Sequence, residues 1–145
     1  MNRSDTAAEL FKKGFACSQS VAAACADMHD IPKEAMLAAL GGFGGGIRCG
    51  EVCGALTGAV ATIGLIFPFD DASDADAKQL VSRKTAEIAA SFRDEFSAVR
   101  CTEILKTDVS TPELMQKAKE EGKTSGCSDI VRFAVGLTEQ LYDGR

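Results

Sequence analysis

The chain has 145 residues and carries 21 acidic against 16 basic side chains, a net charge of −5. That length suits one ordinary domain with a core of its own, so neither metal nor disulfide is needed merely to fold. Apolar residues at 46% and charged residues at 26% exclude wholesale disorder. No basic block exists, and Lys117 and Lys119 are answered by Glu120 and Glu121. A phosphate backbone or an anionic membrane surface needs clustered positive charge, so neither is expected as a partner.

Helical signals dominate the chain. A first helix is read from near Thr6, with Glu9 three residues on as a capping-box pair. It continues through Leu10, Phe11 and Phe15, across Gly14, and along the Val21–Ala26 run to Met28. Asp30-Ile31-Pro32 closes it, because the residue before proline avoids the helical region. Pro32 opens a second helix that reaches Leu40. Gly41–Gly46 is a flexible turn that lets Cys49 reach its partners. A third helix is predicted from about Ile47 to Ile66, stopped by Pro68. Within and beyond it, Val52 to Phe69 is 18 residues without a charge, at the lower edge of a membrane span. Its three glycines and two threonines favour a buried helix, and no stable span is expected.

Asp70, Asp71, Asp74 and Asp76 suit a helix cap and first turn rather than a calcium loop, since the glycine and final glutamate of an EF-hand are missing. A fourth helix is predicted from Ala75 to about Phe96, with Leu80, Val81, Ile88, Phe92 and Phe96 as its buried stripe. A short piece, Thr102 to Lys106, follows Cys101. Thr111-Pro112 reads as an N-cap and first helical residue, with Gly122 ending that helix. The last helix runs from near Ser125 to Tyr142. The expectation is an all-α, single-domain bundle of about five or six helices over residues 1–145, without repeats.

Six cysteines carry the chemistry: Cys17, Cys25, Cys49, Cys53, Cys101 and Cys127. Met1–Thr6 is polar, with no basic stretch leading into an apolar one, so a reducing, cytoplasmic setting is expected. There, cysteines bind metal, do redox work or lie buried. Cys49 and Cys53 are four apart, which on a helix puts both thiols on one face. That is too wide for an easy disulfide and a usable bite for one metal or cluster. Gly50, Gly54 and Gly58 recur at the same period. They form a smooth strip for a cofactor, for a neighbouring helix in the core, or for a second copy of the chain.

Cys127 is predicted in a first helical turn, where free amides favour a thiolate. Cys101 is placed at a helix end, beside Glu103. Ser18, Gln19 and Ser20 beside Cys17 are polar enough to bond a cofactor or a partner helix. Cys25, among alanines, reads as core. The spacings match neither a zinc knuckle nor a ferredoxin run, and no Cys-x-x-Cys is present. His29, the only histidine, reads as a capping or surface residue and leaves no relay for a hydrolytic triad. The glycine run lacks the lysine of a phosphate loop.

The order Cys17-Ser-Gln-Ser-Val, Gly41–Gly46, Cys49-Gly-Glu-Val-Cys53-Gly-Ala-Leu-Thr-Gly58, Cys101 and Cys127 resembles the redox-active proteins named for a C_GCAxxG_C_C cysteine pattern. The resemblance spans about Phe11 to Cys127. It matches the pattern's cysteines to Cys17, Cys53, Cys101 and Cys127, with Val52 where the pattern suggests glycine and Gly54 before Ala55. Cys49 is an additional thiol, and Cys25 has no place in the pattern. That family is similar in part to the iron–sulfur region of split-Soret cytochromes.

Three functions are compatible with the chain. The first is electron transfer through an iron–sulfur cluster or other soft metal on Cys49, Cys53, Cys101 and Cys127, with Cys17, Gly50 and Gly54 lining the cofactor. The second is metal-free thiol–disulfide exchange without any cofactor. There Cys127 attacks, and Cys53 or Cys101 resolves. The third is a non-catalytic interaction module with buried cysteines. The partners expected are another redox protein and a second copy of the chain.

Overall fold

A computed structural model describes residues 1–143 and is all-α. Among the described residues there are eight α-helices: α1 (Arg3–Lys12), α2 (Cys17–Ala24), α3 (Lys33–Leu40), α4 (Gly54–Ile66), α5 (Ala75–Phe96), α6 (Cys101–Leu105), α7 (Pro112–Glu120) and α8 (Cys127–Asp143). The count exceeds the five or six expected for two reasons. The first predicted helix is two helices, and the piece after Cys101 is a helical turn in its own right.

The break has a local cause. Gly14 adopts φ +111°, a conformation that disfavours any side chain. The Phe15 amide then bonds back to the Leu10 carbonyl (3.2 Å), and the Gly14 amide to the Phe11 carbonyl (3.1 Å). These two bonds are the pattern of a glycine-terminated helix. At the other end α1 starts earlier than expected, because the Asn2 side chain accepts from the Asp5 amide.

The predicted helix from Ile47 is also corrected. Gly45, Gly46, Ile47, Arg48 and Gly50 all have left-handed φ, so residues 46–50 form a tight turn and α4 begins only at Gly54. Before it, Val52 pairs with Arg100 in an isolated antiparallel bridge. Helix α5 has the bounds read from the sequence. The Asp74 side chain caps it by accepting from the Ala77 amide (2.9 Å), and Ser97, at φ 63°, ends it. Thr111 caps α7 through the Leu114 amide (3.2 Å).

The main core draws Val21 from α2 and Cys25 just after it, Ala55, Leu56, Ala59 and Ile63 from α4, Ile88 and Phe92 from α5, and Ile130, Val131, Ala134 and Val135 from α8. Phe96 stacks between Phe92 (4.8 Å) and Phe133 (5.1 Å), which ties α5 to α8. Cys25 is fully buried, as its alanine neighbours suggest. Among the described residues, no helix is long and apolar enough to cross a membrane.

Helices α2 and α4 cross at backbone contact, and this crossing positions the site. A Cβ placed on Gly58 would lie 2.5 Å from the Ser18 carbonyl oxygen, and one on Gly54 would lie 2.5 Å from Cys17 Sγ. The glycine strip of α4 therefore receives the first turn of α2. The polar trio beside Cys17 also serves the fold. Ser18 Oγ donates to the Leu40 carbonyl (2.8 Å) and Gln19 Nε2 to the Leu37 carbonyl (2.8 Å). Both join α2 to the end of α3, where carbonyls lack helical partners.

Candidate thiol site

Cys17 is the first residue of α2. Its preceding residue, Ala16, has extended backbone but no side chain able to cap the helix. Only the reverse half of a capping box forms, with Gln19 Oε1 accepting from the Ala16 amide (2.9 Å). The amides of the first turn are left without a side-chain acceptor from Ala16. The backbone amides of Cys17, Ser18 and Gly45, the last in the glycine-rich turn, favour the Cys17 thiolate. That turn was expected to deliver Cys49 to its partners; it places Gly45 on the cavity wall with Cys17 and leaves Cys49 outside. Gly44 is held against Ala16, where a Cβ would come within 2.5 Å of the Ala16 methyl.

Cys53 is the residue before α4, and it lines the same cavity as Cys17, whose Sγ lies against the adjacent Gly54. The antiparallel bridge fixes its backbone. The Cys53 amide donates to the Val99 carbonyl (2.8 Å), and the Cys101 amide to the Glu51 carbonyl (2.6 Å). Glu51 and Arg100 add an exposed ion pair of 3.0 Å across the same clip. Two segments 48 positions apart in sequence thus place Cys53 and Cys101 side by side. Cys127 completes the set as the first residue of α8. Cys17, Cys53, Cys101 and Cys127 all line one cavity of about 310 Å³. Each stands at or just before the start of a helix, an arrangement that aims amide donors and helix dipoles at the thiols.

The four thiols are not equivalent. The Cys53 thiol and the three amides hold Cys17 down to about 6, against burial. Cys53 moves up, through its hydrogen bond to Cys17, then burial, then the Cys17 charge. Burial pushes Cys101 up to about 12 and Cys127 up to about 11, and the Cys17 charge adds to both. Cys127 is the thiol expected to attack; a helix start favours its thiolate, but desolvation is larger, and Lys119 offsets only part of it. Of the four cavity thiols, Cys17 is the one held below the ordinary thiol range. The sequence reading gave Cys17 only a supporting place because it set it in mid-helix. The signal that would have found it is Gln19 as an N3 residue, which puts Cys17 in a first turn.

Cys49 stands apart. It is exposed, its thiol donates to the Gly46 carbonyl (3.5 Å), and it is not among the cavity-lining residues. The one-face geometry expected for Cys49 and Cys53 is not formed, because no helix joins them. Gly50, at φ 78°, packs on Thr102 and the Ser110 backbone rather than on the cavity. Gly54 lies against Cys17. His29 accepts from the Ile31 amide at Nδ1 (3.1 Å), away from the thiols.

A family model described as "Putative redox-active protein (C_GCAxxG_C_C)" matches residues 15–141. The chain belongs to this family. The matched region contains all four cavity cysteines. No curated protein and no solved structure gives a significant match to the chain.

Whether these residues suit a metal centre depends on their arrangement. The donors are soft thiols of the kind that iron–sulfur clusters take. Yet among the described residues no group of three or more Cys, His, Asp or Glu side chains stands in position to hold one metal ion. Cys17 and Cys53 are free thiols on one cavity, with Cys101 and Cys127 pushed towards the protonated form by burial beside them. That arrangement fits a dithiol better than a tetrathiolate.

Proposed function

We propose that this protein is a thiol–disulfide oxidoreductase in which Cys17 attacks and Cys53 resolves. The observation that carries this reading is that Cys17 and Cys53 line one cavity, each at or just before the start of a helix, with Gly54, the neighbour of Cys53, against Cys17 Sγ. The thiolate is the nucleophile in exchange, and a pKa near ambient pH gives the best compromise between thiolate fraction and nucleophilicity.

The exchange runs in two steps. The Cys17 thiolate attacks one sulfur of a disulfide R–S–S–R. A Cys17–S–S–R bond forms, the R–S–S–R bond breaks, and one RS⁻ leaves and takes a proton from solvent. Cys53 then loses its proton and attacks Cys17 Sγ. A Cys17–Cys53 disulfide forms and the second RS⁻ leaves to be protonated. The substrate disulfide is reduced by two electrons and the protein dithiol is oxidised by two. A dithiol donor reverses the change in the protein.

A second reading, electron transfer through an iron–sulfur cluster, is favoured by one observation: four cysteines line one cavity. One experiment separates the two. Anaerobically purified, reduced protein is analysed for iron and sulfide, then treated with one equivalent of a small disulfide and mapped by peptide mass. The exchange reading expects no stoichiometric iron or sulfide, and a Cys17–Cys53 linkage. Stoichiometric iron and sulfide, released together with loss of colour, supports the cluster and contradicts the exchange reading.

A further inference from the structure

The proposed exchange leaves the substrate unnamed, and the mouth of the cavity narrows the choice. The cavity opens beside a second, smaller groove of about 160 Å³. Gly45, Arg48, Met115 and Lys119 line both. Arg48 and Lys119 are therefore the two charged groups at the junction. No aspartate or glutamate lines either space, although the whole chain carries net −5.

Neither cation is used up by a carboxylate. Among the described residues, the ion pairs engage Arg3, Arg100 and Arg132, not Arg48 or Lys119. Arg48 makes one hydrogen bond, from Nη2 to the Gly41 carbonyl (2.7 Å). That bond braces the guanidinium against the glycine-rich turn and leaves its other N–H groups available. Much of the remaining lining is apolar, from Phe11, Phe15, Ile104 and Leu105, which are half-buried where Arg48 and Lys119 are exposed. Two cations, no acid and an apolar throat make a local positive potential in an otherwise acidic protein. The volume is that of a small-molecule site.

We infer that the cavity takes a small organic disulfide bearing carboxylates, whose anionic ends sit at Arg48 and Lys119 while its sulfurs meet Cys17. This inference rests on the exchange reading of the preceding subsection. The carboxylates orient the substrate, and the bonds made and broken are those of the two-step exchange already written. Neutral disulfides lack the anchor, and cationic ones meet repulsion at the mouth.

The test is a single-turnover rate comparison on the reduced full-length protein. Three disulfides are used: 3,3′-dithiodipropionate (a dianion), bis(2-hydroxyethyl) disulfide (neutral) and cystamine (a dication). Each rate is divided by that of the same disulfide with a small free thiol, which removes intrinsic reactivity. The expected ratio of dianion to neutral is about tenfold at low ionic strength, and it shrinks at high salt. Arg48→Gln and Lys119→Gln each lower the ratio about threefold. Lys119→Glu, on an exposed helix position with no hydrogen bond to lose, takes it to about one or below. Equal normalised rates for dianion and neutral disulfide, or a ratio untouched by these substitutions, overturn the inference while leaving the exchange reading standing. A protein unreactive toward all three disulfides overturns the exchange reading and this inference with it.

Discussion

Replacing Cys17 by Ser should remove most of the disulfide reactivity at pH 6, while replacing Cys53 by Ser should leave a stable mixed disulfide on Cys17. The size of the first effect follows from two opposing terms. With Cys17 held below the ordinary thiol range, a larger share of it is thiolate at pH 6 than of an unperturbed thiol. A lower pKa also weakens the nucleophile, but by less than it raises the thiolate fraction. The net advantage is larger against Cys101 and Cys127, which burial keeps protonated.

The measurement belongs in a Cys49→Ser background, so that the exposed thiol outside the cavity adds nothing. Stopped-flow rates with a neutral disulfide, followed by intact mass, read both variants. In Cys53→Ser the adduct persists because the resolving thiol is gone. Cys53→Ala, which has no donor, removes the largest influence holding Cys17 down, so the onset of its reactivity moves to higher pH. Equal reactivity of Cys17→Ser and its parent would place the nucleophile elsewhere.

The second large effect concerns the α2–α4 crossing. Gly58→Val should destabilise the fold, because the first added carbon already lies 2.5 Å from the Ser18 carbonyl oxygen and 3.1 Å from the Ser18 Cα. The obstacle is backbone, which cannot swing aside as a side-chain tip would. Overpacking of this kind costs about 1–3 kcal/mol, and each kcal/mol is worth roughly 2–4 °C of Tm for a chain near this length.

Gly64 on the same helix has nothing within 4 Å of its notional Cβ. Gly64→Ala should therefore raise stability by about 0.5–1 kcal/mol, through lower helix entropy cost alone. Gly54→Ala makes the sharper functional test, since its methyl meets Cys17 Sγ at 2.5 Å. It should slow exchange by more than its effect on Tm would suggest. Thermal melts of the three variants, set beside exchange rates, separate packing from chemistry. A Gly58→Val protein as stable as its parent would contradict the close crossing.

The all-α class was legible because apolar periodicity and caps agree along most of the chain. Helix α5 is the clearest case. Asp74 at its start and the Leu80–Phe96 stripe act locally, so tertiary contacts had nothing to overrule. The region from Gly41 to Cys53 was not legible. Its helix propensity is ordinary from Ile47 onward, but residues 45–48 turn left-handed and are closed by the Glu51 amide on the Gly46 carbonyl, and the Val52–Arg100 bridge is set by a distant segment. That is why Cys49 and Cys53, four apart in sequence, end on different sides of a turn.

At Gly14 the sequence carried the signal, and reading it as a tolerated mid-helix glycine concealed the start of α2. That one boundary hid the role of Cys17, because a thiol in mid-helix meets no free amides. Cys127 shows the opposite case. Its place at a helix start was read correctly, yet burial, which sequence position does not report, reverses the direction of its pKa.

The most direct measurement is the pH dependence of alkylation at each cysteine, read by peptide mass after brief exposure of the reduced protein to iodoacetamide. Cys17 is expected to label with a midpoint near pH 6 and to level off by about pH 7.5. Cys101 and Cys127 should stay unlabelled until well above pH 9. The sign is that of an acid held down in the fold: the reduced protein gains stability from Cys17 as pH rises from about 6 towards 9, and loses that contribution as pH falls through 6. A Cys17 midpoint near 9, or Cys127 labelling first, would contradict the assignment of Cys17 as the attacking thiol.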